Sequence, residues 1–312
     1  MARTRPHHHT IPHGLTHEPS PSPMEQFGPG LAVLLGIVEG LTEYLPISST
    51  GHLILFGHWL GFTGHAATSV EICIQLGAVL AVVAYERTKI LSLLSHANQE
   101  RRNLRRHLQT STSSSMHVVR TSAGTHHHLW FLIGLCAAFL PAAMVGLLTH
   151  EWIEEHLFSP RTVALGLIIG GIIILIVETR PGIVRCTVLE HIGLSRAVGI
   201  GLAQCVALIP GMSRSGSTIV GGLLLGLERR VATEFSFFLA LPTMFAATGY
   251  KFVQSYHLFN TQDLLALGIG LIVSFLVAWA VIAAFLTYVK RHTLKVFGYY
   301  RVGLGTIILL VV

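Results

Sequence analysis

The sequence predicts an all-α polytopic membrane protein, built as an inverted repeat with six transmembrane helices and two re-entrant helical hairpins. Three observations lead there. Of the 312 residues, 51% are hydrophobic and only 12% charged, with a mean hydropathy of +0.62, where soluble domains carry about 25% charged residues. Several apolar runs approach the roughly 20 residues that a spanning helix needs, and the alternating strands of about 10 residues that mark a membrane β-barrel are absent. The third observation is a recurrence: a short apolar helix, a turn of Pro, Ser and Gly, a second short helix and three spans occur twice in the same order.

Residues 1–26, rich in His, Pro, Ser and Thr, form an expected disordered N-terminal extension with neither a signal peptide nor a first span. From Pro29 to Leu45 runs an apolar helix too short to cross, closed by Pro46, and Gly51 to Phe62 forms the next. Two half-length helices joined by a turn suggest a re-entrant hairpin, tolerated at depth only where protein or a polar cavity buries it. Spans are expected at Ala67–Tyr85, Leu129–Leu148 and Thr162–Val177, with a basic cytoplasmic loop, 86–128, after the first. That loop should attract anionic lipid.

The second copy begins with Ala197–Ile209, turns at Pro210, continues as Thr218–Leu227, and spans at Thr233–Tyr250, Leu264–Tyr288 and Val296–Val312. The first repeat is therefore 27–178 and the second 179–312, together one membrane domain. Three crossings per repeat turn the second copy upside down. The basic residues agree, since Arg101, Arg102, Arg105, Arg106, Arg229, Arg230, Lys290 and Arg291 all fall on the side assigned to the cytoplasm, while connections 149–161 and 251–263 have only Arg161 and Lys251. By the positive-inside rule, both termini lie outside. The net charge of +6 is thus a matter of orientation rather than of nucleic acid, for which no partner role is expected. The four cysteines, without CxxC spacing, read as small core residues.

Two stretches carry polar chemistry at depth, where a charge costs roughly 2.5–3.5 kcal/mol even on the lenient insertion scale. In EGLTEYLPISSTGH, Glu39 and Glu43 share one helix face, as a cation-binding pair or a proton-sharing structural pair. Ser48, Ser49 and Thr50 follow Pro46, and His52 opens the next helix; these residues have the parts of an activated nucleophile, though a helix cap is the commoner role. In PGMSRSGST, Gly211 and Gly216 let backbone N–H groups approach an anion, Ser213, Ser215, Ser217 and Thr218 offer hydroxyls, and Arg214 offers a planar fork for phosphate or for a glutamate of the first motif. Glu71 and Glu234 are weaker candidates near the starts of spans, and Gln75 and Gln204 suit bonds between helices.

Together the two motifs resemble the signature regions of the bacterial undecaprenyl-diphosphate phosphatase family, the integral-membrane type associated with bacitracin resistance. EICIQLGAVLAVV (Glu71 to Val83) and EFSFFLALPTM (Glu234 to Met244) extend the resemblance over nearly all of 27–312. It implies hydrolysis of undecaprenyl diphosphate to undecaprenyl phosphate in the bacterial cytoplasmic membrane, recycling the lipid carrier of peptidoglycan synthesis. Carried over by position, it implies catalytic roles for Glu39, Glu43, Ser49, His52 and Arg214, and substrate binding by Gly211, Ser213, Arg214, Ser215, Gly216 and Thr218. It also implies a divalent cation, Mg²⁺ or Ca²⁺, on Glu39 and Glu43. Membrane lipids are expected partners and a homodimer is compatible with the sequence. A polyprenyl-phosphate flippase or transporter is the alternative, because an inverted repeat with a midplane site suits alternating access.

Overall fold

The computed structural model describes residues 27–62, 65–110, 122, 124–180, 182–255 and 261–311. The extension 1–26 and residues 111–121 of the basic loop lie outside them. Among the described residues the chain is all helix, with one isolated bridge between Cys186 and Leu227 and no strand.

The first half contains α1 (Pro29–Thr42), α2 (Ser49–Leu60), α3 (His65–Tyr85), α4 (Arg87–Thr110), α5 (His127–Leu157) and α6 (Pro160–Thr179). The second contains α7 (Leu194–Cys205), α8 (Arg214–Leu224), α9 (Arg229–Ser255), α10 (Thr261–Val289) and α11 (Lys295–Val311). Four of these helices, α5, α6, α9 and α10, are long and apolar enough to cross a membrane. The other two expected spans, α3 and α11, are helices of 21 and 17 residues whose apolar length is shorter.

Three elements differ from expectation. α5 passes through Pro141 and continues to Leu157, carrying Glu151, Glu154 and Glu155 on helix where a connection was expected. α9 likewise runs on to Ser255. These extensions support each other, since Lys251 Nζ lies 3.0 Å from Glu154 Oε1. The basic loop, in turn, holds a 24-residue helix, α4, whose Leu93 and Ala97 are buried. Its apolar residues at three- and four-residue spacing fold it onto the bundle. Of the cysteines, Cys73 and Cys186 are buried as expected, but Cys136 is exposed and Cys205 half-buried.

Packing interleaves the halves. α1 lies along α10, and, reciprocally, α7 lies along α5; α3 meets α9, and α6 meets α11. Small residues allow the close approach: a Cβ on Gly77 would stand 2.1 Å from the Leu271 carbonyl oxygen, and one on Gly40 2.7 Å from Val277 Cβ. The main core joins both halves through Tyr44, Phe131, Phe235, Phe237 and Phe285. The breaks α1–α2 and α7–α8 are thereby held face to face.

Candidate active site

Each break is a turn of the same construction. Pro46 and Pro210 stop the preceding helices, because a proline disfavours the α conformation in the residue before it. Ser48 (φ 74°) and Ser213 (φ 70°) are the non-glycine residues with positive φ among those described, a conformation that costs on the order of 1 kcal/mol or more and needs support. The support is a cap: Ser48 Oγ accepts from the Gly51 N–H at 3.2 Å, and Ser213 Oγ from the Gly216 N–H at 3.1 Å. Ile47-Ser48-Ser49-Thr50-Gly51 and Met212-Ser213-Arg214-Ser215-Gly216 are thus equivalent, and Ser49 matches Arg214.

Both of these residues meet Glu43, which is buried and is the C-cap of α1. Ser49 Oγ donates to Glu43 Oε2, which also accepts from Gln75 Nε2 at 3.3 Å. Arg214 Nη2 donates to Glu43 Oε1 at 2.8 Å. The guanidinium is held by the Ser236 carbonyl and hydroxyl at 3.0 and 3.3 Å, and lies 5.6 Å from the Tyr44 ring centroid. Its buried Nε has no partner among the described residues. A carboxylate holding a serine proton, beside an arginine with a spare donor, can accept that proton while the arginine takes an anion.

Glu39 lies one turn behind Glu43, fully buried, with both carboxylate oxygens unpartnered among the described residues. Its charged surroundings are Glu43, Glu71 and Arg214. An orphaned carboxylate beside a second one suits a divalent cation, with phosphate or water oxygens completing the shell. No group of three or more His, Cys, Asp or Glu side chains able to hold a metal occurs among the described residues.

Glu43, but not Glu39, faces a cavity of about 240 Å³. Glu43, Ser48, Ser49, Thr50, Gln75, Pro210, Gly211, Ser213 and Arg214 line one side, and Gly146, His150, Ile153, Glu154 and Phe158, from the end of α5, line the other. Such a volume takes a polar headgroup, and anything longer must leave through the opening.

Several residues expected in the site point elsewhere. His52 gives Nδ1–H to the Ser48 carbonyl and pairs Nε2 with the Tyr300 hydroxyl, each at 2.7 Å, with its ring stacked on Tyr300. Ser215 donates to the Leu45 carbonyl at 2.9 Å, the Gly216 N–H is used by Ser213, and Thr218 bonds to the Arg214 carbonyl at 2.9 Å and Ser236 Oγ at 2.7 Å. These three groups are engaged in holding the turn, and of the expected phosphate cradle Gly211, Ser213 and Arg214 line the cavity. Glu234 pairs with Lys89 and Arg230 at the bundle end. Gln204 bonds to Thr243 and Gln75 to Glu43, both between helices as expected.

The residue that sequence reasoning missed is Arg301 of α11, fully buried. It donates to the carbonyls of Pro46, Gly211 and Met212 at 3.1, 2.8 and 3.0 Å, and of Leu167 and Gly166 at 3.3 and 3.1 Å. One guanidinium therefore ties both turns to α6, at carbonyl-rich chain breaks where a cation is favoured. An arginine in the middle of an otherwise apolar 17-residue helix was the available signal.

A family model described as bacitracin resistance protein BacA matches residues 32–307. The chain is 46% identical over 282 residues to an undecaprenyl-diphosphatase of Caldanaerobacter subterraneus, covering 90% of this chain and 95% of the relative. It is 46% identical over 278 residues to one from Maridesulfovibrio salexigens, covering 89% and 96%. It is 42% identical over 283 residues to undecaprenyl-diphosphatase 3 of Acinetobacter baylyi, covering 90% and 96%.

Proposed function

The chain belongs to the bacitracin resistance protein BacA family of membrane enzymes and hydrolyses undecaprenyl diphosphate to undecaprenyl phosphate and phosphate, and from that premise we propose that the reaction takes place on Glu43, Ser49 and Arg214. The observation that carries the assignment is the single carboxylate shared by a serine hydroxyl of one turn and an arginine of the other.

The terminal phosphoryl group enters the cavity and accepts hydrogen bonds from Arg214, including its vacant Nε–H. Glu43 Oε2 takes the Ser49 proton as Oγ attacks the terminal phosphorus. The Ser49 Oγ–P bond forms, and the bond from phosphorus to the bridging oxygen breaks, leaving undecaprenyl phosphate. Glu43 gives up that proton with the departing undecaprenyl phosphate; water then attacks the phosphoserine, its proton passes to Glu43, the Oγ–P bond breaks, Glu43 returns the proton to Ser49 Oγ, and phosphate departs. Phosphoryl transfer depends chiefly on positioning and charge, which a preorganised arginine supplies. Glu39 and Glu43 would hold a divalent cation, whose chemistry is to neutralise charge on the phosphoryl oxygens.

The same reading takes 27–178 and 179–312 as inverted repeats, with α1–α2 and α7–α8 as re-entrant hairpins and α3 and α11 completing six spans. The equivalent serine turns and the reciprocal packing of α1 on α10 and α7 on α5 support it. The cavity is bounded by the end of α5, where Glu154 pairs with Lys251 of α9; that side is poor in basic residues, which on this reading makes it the outer face, where carrier diphosphate is released.

Phosphate release from a prenyl diphosphate by the purified protein in detergent tests the enzyme reading, because detergent abolishes sidedness but not hydrolysis. Release by the wild type and its loss in Ser49→Ala are expected. Near-normal turnover by Ser49→Ala contradicts the serine's role, and absence of release from the wild type with Mg²⁺ present leaves the flippase.

A further inference from the structure

α4 has no part in the site, and its surface has a specific composition. It begins directly where α3 ends, with Glu86 and Ile90 continuing the helical hydrogen bonds from Val82. Its middle is fixed to the start of α5, since Glu100 accepts from His128 Nδ1–H and the Leu129 N–H, both at 2.8 Å. Burial would raise the Glu100 carboxyl, but these bonds hold it below its ordinary range. α4 is therefore held at the end of the bundle where two apolar helices leave the membrane.

One face is buried through Leu93 and Ala97. At 100° per residue, Arg87, Leu91, Leu94, Arg101, Arg102 and Arg105 fall together on another face, and all are exposed, Leu91 by 66% and Leu94 by 51%. Glu100 is the one acidic residue of the helix and is engaged by His128, while Lys89 is used by Glu234. No described carboxylate pairs with Arg101, Arg102 or Arg105; the Arg101 bond goes to Asn98 of its own helix at 3.3 Å.

We propose that α4 lies on the membrane surface and binds anionic phospholipid headgroups through Arg101, Arg102 and Arg105, with Leu91 and Leu94 entering the acyl boundary. Exposed leucines near the start of the face can enter the acyl boundary while the long stems of arginines two to three turns further along lift their guanidinium groups to headgroup depth. A charge-only partner leaves the leucines in water, and an apolar partner leaves the arginines unmatched. Headgroup phosphates bind Arg in its planar fork, and the contact weakens with salt.

The test uses the full-length protein in nanodiscs of phosphatidylcholine alone or with added phosphatidylglycerol, and compares amide hydrogen exchange in 87–108 with that of Arg101→Gln/Arg102→Gln/Arg105→Gln. Exchange in the wild type is expected to slow several-fold with phosphatidylglycerol and to recover in high salt. The variant is expected to exchange alike in both discs, with α6 and α11 protected as in the wild type. Equal exchange of the wild type in both lipids overturns the proposal, as does a variant that keeps the difference. Slowing that requires two copies per disc also overturns it and assigns the face to a second copy of the chain.

Discussion

Ser49 and Arg214 occupy the same position in two equivalent turns, each the first residue after a positive-φ serine, and each bonds one oxygen of the Glu43 carboxylate. A hydroxyl and a guanidinium are thus presented to one point from opposite halves of the chain. On the proposed mechanism, one turn supplies the nucleophile and the other the anion-binding fork.

Arg214→Lys tests the fork. An ammonium cannot hold the Ser236 carbonyl and Glu43 in one plane, so kcat/KM should fall by on the order of 10²-fold. Steady-state kinetics on the purified variant checks this; retention of most of the activity contradicts a planar contact to phosphate.

His52→Gln separates two assignments of the base. Loss of a general base costs about 10²–10⁴-fold, but the ring nitrogens of His52 are engaged by Ser48 and Tyr300, away from Ser49. His52→Gln and Tyr300→Phe should therefore give similar, smaller losses, of about tenfold or less, with an unchanged shape of the pH–rate profile. A profile that loses a limb in His52→Gln alone would restore the imidazole as base.

Arg301 is predicted to act by position. A Cβ on Gly170 would stand 2.0 Å from its Nη2, so Gly170→Ala must displace the guanidinium from the carbonyls of both turns. Thermal unfolding and phosphate release should show Gly170→Ala to be less stable and less active, and Arg301→Gln more so, because losing a buried charge that holds several carbonyls costs about 3 kcal/mol or more. A wild-type-like Gly170→Ala would mean that the turns hold their shape unaided.

The long apolar helices, and the meeting of Glu43 with Arg214 across the two motifs, were legible in the sequence because a bilayer leaves so few reasons for buried charges to be there. Hydroxyls and glycines gave less, since the same Ser215, Gly216 and Thr218 serve a cap as well as a cradle, and only the placed acceptors distinguish the two. Arg301 was hidden by its distance along the chain from the turns it binds. α4 is hidden in the sequence because its burial comes from tertiary contact by a few residues, Leu93 and Ala97 among them, and not from overall hydropathy.

The most direct measurement is mass spectrometry of the Ser49-containing peptide from enzyme acid-quenched during turnover of a prenyl diphosphate. A phosphoryl group on Ser49 that appears with substrate, and is diminished in Glu43→Gln and in Arg214→Lys, is the expected result. Rapid turnover with Ser49 unmodified at every quench time would contradict it, and would leave water as the attacking group.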